Sequence, residues 1–530
     1  MDLNDSPKRG VKRKYAGDRH KLMGSDRSAP TRALGPATNA QGLSIAHDGT
    51  SETEDDGRKT NDEYYKNLYA TEPDFSVLGT RDPDFAALLE RDSHLDFTDP
   101  AAVMQLTKTL LKLDFGLQIE LPADRLCPPV PNRHNYILWL KDLLDSSSPD
   151  LDVYADADAN HPSGEIEPED CRQVAGLDIG TGASVIYPLL GCVQRSSWSF
   201  IGTDVDSRSL SYARQNVTLN NLQSRIRIIG TRKTTDPLIP IGEHDIEALD
   251  FVMVNPPFYE SEAELLELGR QKSRPPSSAC TGAPVEMVCR GGEVGFVRRM
   301  VEESLVLREK VQWYTSMLGK QSSLEVLVDI LRDHGITNYA VTAFVQGNKT
   351  RRWALGWSFG NRRPSLSSSR GFEPLGGKKL LPHPTETTVA LWPLLKKKRE
   401  QLERTICDTM ESLDLASWTW DGRSSRGVGF VCGNVWSRAY RRKKARAQMD
   451  TDPTTSETTE NHPSSLQLIS PKQDIRQCPF GFSITLQISR NAMNIEDKIA
   501  VVARWLQGHD YTLFESFTGM LRNSARPEKA

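Results

Sequence analysis

The sequence contains no long apolar run. No segment of its 530 residues approaches the roughly 20 consecutive apolar residues that a membrane-spanning helix needs, and the N-terminus has no apolar signal core. A formal net charge of -4 favours neither a polyanionic nor a polycationic partner. These absences predict a soluble, intracellular protein that has no membrane partner.

The cysteine pattern also lacks any pairing that would indicate a metal site. The eight cysteines are scattered, with neither a C-x-x-C pair nor a histidine at ligand spacing. We therefore expect reduced thiols, no disulfide framework and no bound metal.

Apolar periodicity is missing from residues 1–60, which are rich in glycine, serine, aspartate and threonine, and this predicts a disordered tail. The tail carries basic clusters at 8–9 and 12–14. Such clusters serve as nuclear import signals or as nonspecific nucleic-acid contacts. We expect the protein in the nucleus, and these clusters do not exclude that some of it is also in the cytoplasm.

Beyond the tail, the sequence predicts a helical module followed by two ordered domains. The expected divisions are a helical module at 61–149, a doubly wound α/β domain with a mostly parallel sheet at 150–360, a linker at 361–384, and a small α+β domain at 385–525 that a disordered insert at about 447–474 interrupts.

Short apolar runs that alternate with helical patterns support the α/β prediction. The expected strands are 174–179, 198–204, 225–229 and 249–254, with later ones at 339–345 and 353–359; the expected helices are 184–190 and 207–221. In the last domain, residues 480–488 alternate like an exposed strand, and a final helix is expected to contain Trp505 and Leu513.

A glycine turn follows the first expected strand. Gly180 and Gly182 would let the backbone approach a ligand at the carboxyl edge of the sheet. The second strand ends at Asp204, whose carboxylate can accept hydrogen bonds from both ribose hydroxyls of a nucleoside cofactor. The fuller G-x-G-x-x-G fingerprint is absent, because position 185 is Val185. These residues alone leave NAD open as the cofactor.

A second motif follows the fourth expected strand directly. It consists of Asn255, Pro256, Pro257 and Phe258. The side-chain carbonyl of asparagine and the next backbone carbonyl can accept both hydrogens of one planar NH2 group, which directs the nitrogen lone pair at a methyl donor. The prolines make the loop rigid, and the phenylalanine offers a face for a planar base. The loop therefore predicts methylation of an aromatic or amide nitrogen.

Motifs across residues 61–360 resemble the methyltransferase-like family that modifies one adenosine in U6 small nuclear RNA, which is related to a bacterial ribosomal RNA adenine methyltransferase. They are DFGL at 114–117, VPNRHNYI at 130–137, DIGTGAS at 178–184, IYPLLG at 186–191, PPSS at 275–278, GGE at 291–293, WY at 313–314, MLGK at 317–320, RWAL at 352–355 and WSF at 357–359. The resemblance implies a Rossmann-like class I methyltransferase fold, S-adenosylmethionine as cofactor and adenine N6 in structured RNA as acceptor.

The resemblance also implies roles for individual residues. The implied cofactor contacts are Arg133, Gly180, Ser184, Asp204, Thr234 and Asn255. Position 204 is usually glutamate in the family, and aspartate can make the same contacts with a shorter side chain. Phe258 would stack on the flipped adenine.

Basic residues near the two motifs are candidates for RNA contacts. They are Arg270, Lys272, Arg274, Lys349, Arg351 and Arg352. The resemblance further implies RNA binding by the helical module at 61–149 and by the C-terminal domain, whose basic stretch lies at 438–446.

Two alternatives remain at this point. An N-P-P-aromatic loop also serves methyltransferases that act on DNA adenine or protein glutamine, although those relatives commonly have tyrosine where this chain has Phe258. The chain could instead be a non-catalytic RNA-binding splicing factor that retains an inactive enzyme domain.

Overall fold

The computed structural model describes residues 62–148, 172–231, 236–264, 282–346, 350–374, 378–449, 474–489 and 497–526. The predicted disordered tail at 1–60 and residues 450–473 of the predicted insert lie outside these ranges. Within them, no helix is long and apolar enough to cross a membrane.

Seven strands form the first sheet. They are β1 (Val174–Ile179), β2 (Trp198–Asp204), β3 (Ile226–Gly230), β4 (Leu249–Val254), β5 (Val311–Leu318), β6 (Tyr339–Gln346) and β7 (Thr350–Trp357). Their order is β3-β2-β1-β4-β5-β7-β6. The first five strands in this order run parallel, and β7 is antiparallel to both β5 and β6. The predicted doubly wound, mostly parallel α/β fold is confirmed.

Helices cover this sheet and the segment before it. They are α1 (Phe75–Arg81), α2 (Pro83–Ala86), α3 (Pro100–Phe115), α4 (Val130–Ser146), α5 (Ile186–Gln194), α6 (Ser207–Leu219), α7 (Pro284–Met287), α8 (Gly292–Leu307), α9 (Gln321–Asp333) and α10 (Leu366–Ser369). A 3-10 turn at Arg308–Lys310 joins α8 to β5.

Both faces of the sheet are buried because alternate residues of its central strands pack into two separate cores. Phe251 and Met253 of β4 join one core, while Val252 and Val254 join the other. Such burial on both faces explains why the parallel strands are nearly continuous apolar runs. It leaves only the strand ends for polar chemistry.

The N-terminal helices pack on one face of the sheet through α4. His134 of α4 is fully buried, and its Nε2 lies 2.8 Å from the carbonyl oxygen of Tyr65. The Lys141 Nζ, also buried, donates to Asp62 Oδ1 at 2.7 Å. Burial lowers the pKa of His134 to about 4, so this histidine is neutral and serves packing. These contacts fix the first described residues against α4.

The C-terminal domain has a five-stranded antiparallel sheet and its own core. Its elements are β8 (Glu386–Pro393), α11 (Lys396–Glu411), β9 (Ser417–Asp421), β10 (Arg426–Val431), α12 (Arg438–Met449), β11 (Phe480–Ser489), β12 (Lys498–Gln507) and α13 (Tyr511–Ser524), with 3-10 turns at Lys378–Leu380 and Ile475–Gln477. The strand order is β8-β12-β11-β10-β9. The expected strand at 480–488 is confirmed as β11, but the expectation that it is an exposed strand is wrong, because it lies inside the sheet with Phe480, Phe482 and Ile484 fully buried.

The expectation that Trp505 lies in the final helix is wrong. Trp505 is in β12, where it alternates with Ala503 and Val501 into the core, and the helix α13 begins only at Tyr511. Asp510 starts that helix, because its carboxylate accepts from the Thr512 backbone N–H at 2.8 Å.

Arg363 lies where the two sheets meet. Its backbone N–H donates to the carbonyl of Leu506 at 2.9 Å, and its Nε donates to the carbonyl of Gly508 at 2.7 Å. The guanidinium carbon lies 4.1 Å from the centroid of the Trp505 ring. These contacts join the C-terminal domain to the chain that leaves the first sheet, within the segment predicted as a linker.

Candidate active site

A cavity of about 570 Å³ opens at the carboxyl ends of β1, β2 and β4. Strand order reverses between β1 and β4, and open α/β sheets bind ligands at such a switch point. The volume is in the range of small-molecule sites. The fold thus places a ligand-sized cavity where the two sequence motifs follow their strands.

The glycine turn forms one wall of this cavity. Gly180 and Gly182 both have left-handed backbones, with φ of +69° and +64°. A Cβ added at Gly180 would meet no described atom within 4 Å, so this part of the backbone faces open cavity. A ligand can therefore approach the main chain closely, as the turn predicts.

Asp204 is held beside the turn by two backbone donors. Its Oδ2 accepts from Gly182 N–H and its Oδ1 from Asp206 N–H, each at 2.9 Å. Burial raises the pKa of Asp204, and these backbone hydrogen bonds oppose the rise. The carboxylate lines the cavity, and its oxygens can still accept hydrogen bonds from the hydroxyl groups of a ligand.

Asp178 lies beneath the turn, at the end of β1. It is 1% exposed, and neither carboxylate oxygen has a hydrogen-bond partner among the described residues. Burial is the main reason that the pKa of Asp178 is raised to about 7; the neighbouring Thr181 hydroxyl and the charge of Arg133 oppose this rise, and the charge of Asp204 adds to it. A protonated Asp178 is therefore compatible with the folded state near neutral pH.

Replacing Asp178 with asparagine should alter how stability depends on pH. The folded state of the wild type binds this proton more tightly than the unfolded state, whose pKa is about 3.9. Its stability should therefore fall as the pH rises from about 4 to about 7. Over this interval, the free energy of unfolding of the Asp178→Asn variant should rise relative to that of the wild type, by at most about 4 kcal/mol. Urea unfolding of both proteins at several pH values between about 4 and about 7 measures this change. If the two free energies of unfolding differ by the same amount at every pH, the raised pKa of Asp178 is contradicted.

Asn255 is the first residue after β4. Its Oδ1 atom is buried and has no hydrogen-bond partner within the part of the chain that the structure describes. Asn255 and Pro257 line the cavity, and Pro256 is buried. Because buried acceptors normally have partners, this atom is a candidate ligand contact. It fits an incoming N–H donor.

The rest of the loop is fixed by backbone pairing with a distant segment. Tyr259 N–H donates to the carbonyl of Met287, and Cys289 N–H donates to the carbonyl of Tyr259, each at 3.0 Å. These bonds form an isolated parallel bridge between Tyr259 and Val288. The loop after β4 therefore has a defined conformation beyond the restriction that its prolines impose.

Phe258 has a half-exposed ring beside the ends of β5 and β7. The Arg352 guanidinium carbon lies over this ring, 5.5 Å from its centroid. Arg352 is itself half-buried, whereas Arg351 is exposed. The position of Phe258 suits a stacking surface that is open on part of the ring.

The structure brings together most of the residues expected to contact the cofactor. The cavity is lined by Arg133, Gly180, Ser184, Asp204 and Asn255. Thr234 lies outside the described residues, as do Arg270, Lys272, Arg274 and Lys349. Thr231 and Asp236, which flank the undescribed segment around Thr234, both line the cavity.

Arg133 reaches the cavity from α4. It is 5% exposed, its Nη1 lies 3.3 Å from Met317 Sδ, and its guanidinium carbon lies 5.5 Å from the Tyr187 ring centroid. Packing against these side chains orients a cation in the wall of the cavity.

Sequence reasoning missed Glu286, which also lines the cavity. Its Oε2 accepts from the backbone N–H of Leu126 at 3.0 Å and of Ala283 at 2.8 Å. Burial raises the pKa of Glu286, and the charge of Asp204 raises it further. Only its position three residues after Ala283, at the start of α7, could have indicated a capping role.

The fold and the site together define a class I methyltransferase. In this sheet the antiparallel strand β7 lies between β5 and β6, whereas folds that bind dinucleotides have the order 3-2-1-4-5-6 without such a strand. The turn also lacks the full dinucleotide fingerprint, so NAD is disfavoured as the cofactor. Among the described residues, no group of three His, Cys, Asp or Glu side chains is placed to hold a metal ion.

The chain belongs to the RNA methyltransferase family, whose model matches residues 59–361. It is 34% identical over 445 residues to the U6 small nuclear RNA (adenine-(43)-N(6))-methyltransferase of Schizosaccharomyces pombe, covering 83% of this chain and 98% of that protein. It is 40% identical over 293 residues to the mouse RNA N(6)-adenosine-methyltransferase METTL16, covering 54% of this chain. It spans only 49% of the mouse protein.

A solved structure of the human METTL16 catalytic domain, in complex with MAT2A 3′UTR hairpin 1, is also similar. The identity is 38% and the TM-score is 0.45, over 55% of this chain and 92% of that one.

Proposed function

We propose that this protein transfers a methyl group from S-adenosylmethionine to the N6 amine of an adenosine in structured RNA, with U6 small nuclear RNA as the substrate. The observation that carries the proposal is the buried Oδ1 of Asn255, which has no partner among the described residues and lies in a cavity that the glycine turn and Asp204 also line. The names of the S. pombe and mouse relatives support the acceptor.

The residues of the cavity fit S-adenosylmethionine. The open backbone at Gly180 would lie against the cofactor, and Asp204 would accept hydrogen bonds from its ribose hydroxyls. The remaining contacts would come from Arg133, Ser184 and Thr234. The cofactor supplies a methyl group on a positively charged sulfur, which is an electrophile without further activation. The protein therefore needs to bind and orient, and to exclude water.

The loop after β4 would orient the acceptor amine. Asn255 Oδ1 and the carbonyl of Pro256 each accept one hydrogen of the N6 amine, which favours a pyramidal nitrogen. The fixed loop supplies this geometry before the substrate arrives, so little entropy is lost in the reaction step. The surplus proton leaves a cationic amine readily, and a strong general base is unnecessary. Phe258 stacks on the flipped adenine.

RNA would be held by basic residues outside the cavity. Arg351 and Arg352 lie at the start of β7, where Arg352 is over the Phe258 ring, and we propose that Arg270, Lys272, Arg274 and Lys349 act with them. A second basic surface is exposed on α12, formed by Arg438, Arg441, Arg442, Lys443 and Arg446. We assign RNA binding to this domain and to the N-terminal helical module, and we expect the protein in the nucleus.

The proposal predicts which macromolecule receives the methyl group. Purified protein with radiolabelled S-adenosylmethionine should label a U6-like RNA hairpin, and digestion should release N6-methyladenosine. An RNA in which the acceptor adenosine is replaced by guanosine is the matched control and should remain unlabelled. Label in duplex DNA or in a glutamine-containing release factor, with none in RNA, would contradict the proposal. Tight RNA binding without cofactor binding would favour the non-catalytic alternative.

A further inference from the structure

We infer that Glu293 and Gly319 are positioning residues for methyl transfer: together they fix the ring of Phe258 in the orientation that receives the substrate base. This inference rests on the proposed function, because it takes Phe258 as the surface on which the adenine stacks. Neither residue lines the cavity. Their contacts with one another and with Phe258 carry the argument.

Gly319 follows β5 and lies directly against the Phe258 ring. A Cβ at this position would be 3.0 Å from Phe258 Cδ1, 3.3 Å from Phe258 Cε1 and 3.2 Å from Glu293 Oε2. The backbone of Gly319 is not left-handed, so any residue could adopt its conformation. The nearby ring and the Glu293 carboxylate, rather than the backbone dihedral angle, therefore require glycine here.

Glu293 holds the turn that contains Gly319. Its Oε2 accepts from Gly319 N–H at 2.6 Å, and its Oε1 accepts from Lys320 N–H at 3.2 Å. The Glu293 side chain is buried, with the residue 4% exposed, so these charge-assisted bonds are shielded from water. Glu293 also lies in the first turn of α8, where the helix dipole favours a carboxylate. The start of α8 is thereby tied to the turn after β5.

The residue before Glu293 contacts the main chain of the catalytic loop. A Cβ at Gly292 would lie 3.3 Å from the carbonyl oxygen of Phe258, and its φ is +57°. Residues 292 and 293 therefore act on Phe258 in two ways. Gly292 lies against its backbone, and Glu293 holds Gly319, which lies against its ring. These contacts account for Gly292 and Glu293 of the Gly-Gly-Glu motif at 291–293.

Arg352 completes the surroundings of the ring. β5 and β7 are neighbours, with Leu318 opposite Trp353, so Arg352 emerges beside the turn that Glu293 holds. Burial and the charge of Arg133 lower the pKa of Arg352, and the negative charge of Glu293 opposes this. The cation lies over the ring, where the interaction is favourable. The exposed remainder of the ring is left for a base.

The orientation of the ring matters because stacking sets where the amine lies relative to Asn255. A misplacement of about 1 Å between reacting groups can cost about a hundredfold in rate. A methyl group at Gly319 would displace the ring by a fraction of this distance. We expect roughly a tenfold loss in kcat for Gly319→Ala, with cofactor and RNA affinities within twofold of wild type.

A double-mutant cycle tests whether Gly319 acts through Phe258. Gly319→Ala should lower kcat about tenfold when Phe258 is present and clearly less in a Phe258→Ala background, because only the contact of the added methyl group with Glu293 Oε2 then remains. Gly519→Ala is the matched control, since no described atom lies within 4 Å of a Cβ there, and its kcat should not change. Equal losses from Gly319→Ala in both backgrounds would overturn the inference.

Base stacking can be followed independently of turnover with 2-aminopurine in place of the acceptor adenosine. Wild-type protein should quench its fluorescence, whereas Gly319→Ala and Glu293→Gln should quench less at saturating RNA. Glu293→Gln replaces one acceptor with an NH2 group that cannot accept from a backbone N–H, and it adds no Cβ contact. Unchanged quenching by both folded variants would overturn the inference. If the wild type neither methylates nor quenches, the proposed function fails instead.

Discussion

Replacing Asn255 with alanine should lower kcat for methyl transfer by about a hundredfold to a thousandfold, the loss typical of removing one preorganised polar contact in a transition state. The structure gives the reason. Asn255 Oδ1 is a buried acceptor with no partner among the described residues, directly after β4 and on the wall of the cavity. In the proposed reaction it holds one hydrogen of the amine while the lone pair attacks the methyl group.

The size of the loss should depend on the acceptor that remains at this position. Asn255→Asp keeps an oxygen in place, so its kcat should lie between those of the wild type and Asn255→Ala. Affinities for cofactor and RNA should change less than tenfold in both variants. Single-turnover kinetics with saturating RNA and cofactor measures the chemical step directly. A kcat for Asn255→Ala within threefold of wild type would contradict the role of this side chain.

Replacing Asp204 with alanine should weaken cofactor binding by roughly a hundredfold, since two hydrogen bonds to a charged group are lost. The carboxylate is already oriented by the backbone N–H groups of Gly182 and Asp206. Removing it leaves these two half-buried donors without their partner and also removes the acceptor for the ribose. Isothermal titration calorimetry with S-adenosylmethionine measures the change.

Asp204→Glu is the matched control, because it keeps a carboxylate at this position on a side chain that is one methylene longer. Its affinity should stay within about tenfold of wild type, because the charge and both acceptor oxygens are retained. Burial raises the pKa of Asp204. The affinity of the wild type for the cofactor should therefore fall as the pH is lowered through this raised pKa, because a protonated carboxyl group accepts fewer hydrogen bonds. Equal affinity of Asp204→Ala and wild type would show that this carboxylate does not bind the cofactor.

The parallel strands could be predicted from the sequence because each is a short apolar run between helical patterns. The expected 174–179, 198–204 and 249–254 match β1, β2 and β4 at both ends. Trp313 and Tyr314, which the sequence identifies as a motif of the family it resembles, are buried in β5. The strand β5 around them was not identified, because Thr315 and Ser316 interrupt its apolar run. Thr315 is buried only because its hydroxyl donates to the carbonyl of Val252 at 2.9 Å, a contact that the sequence does not reveal.

The two strand-end motifs could be located from the sequence because each follows an apolar run directly. The carboxylates that support them could not. Glu286 binds the backbone of Leu126, 160 residues away, and Glu293 binds the backbone of Gly319. Their partners are main-chain N–H groups in distant loops, which carry no residue signature. Such contacts become visible only when the fold brings the loops together.

Mapping N6-methyladenosine at nucleotide resolution in cellular U6 RNA tests the central claim most directly. Cells without this protein should lose methylation at one adenosine, the wild-type chain should restore it, and the Asn255→Ala variant should not, although it is expressed to the same level. Methylation that persists without the protein, or that Asn255→Ala restores fully, would contradict the assignment of this loop as the catalytic centre of a U6 adenine methyltransferase.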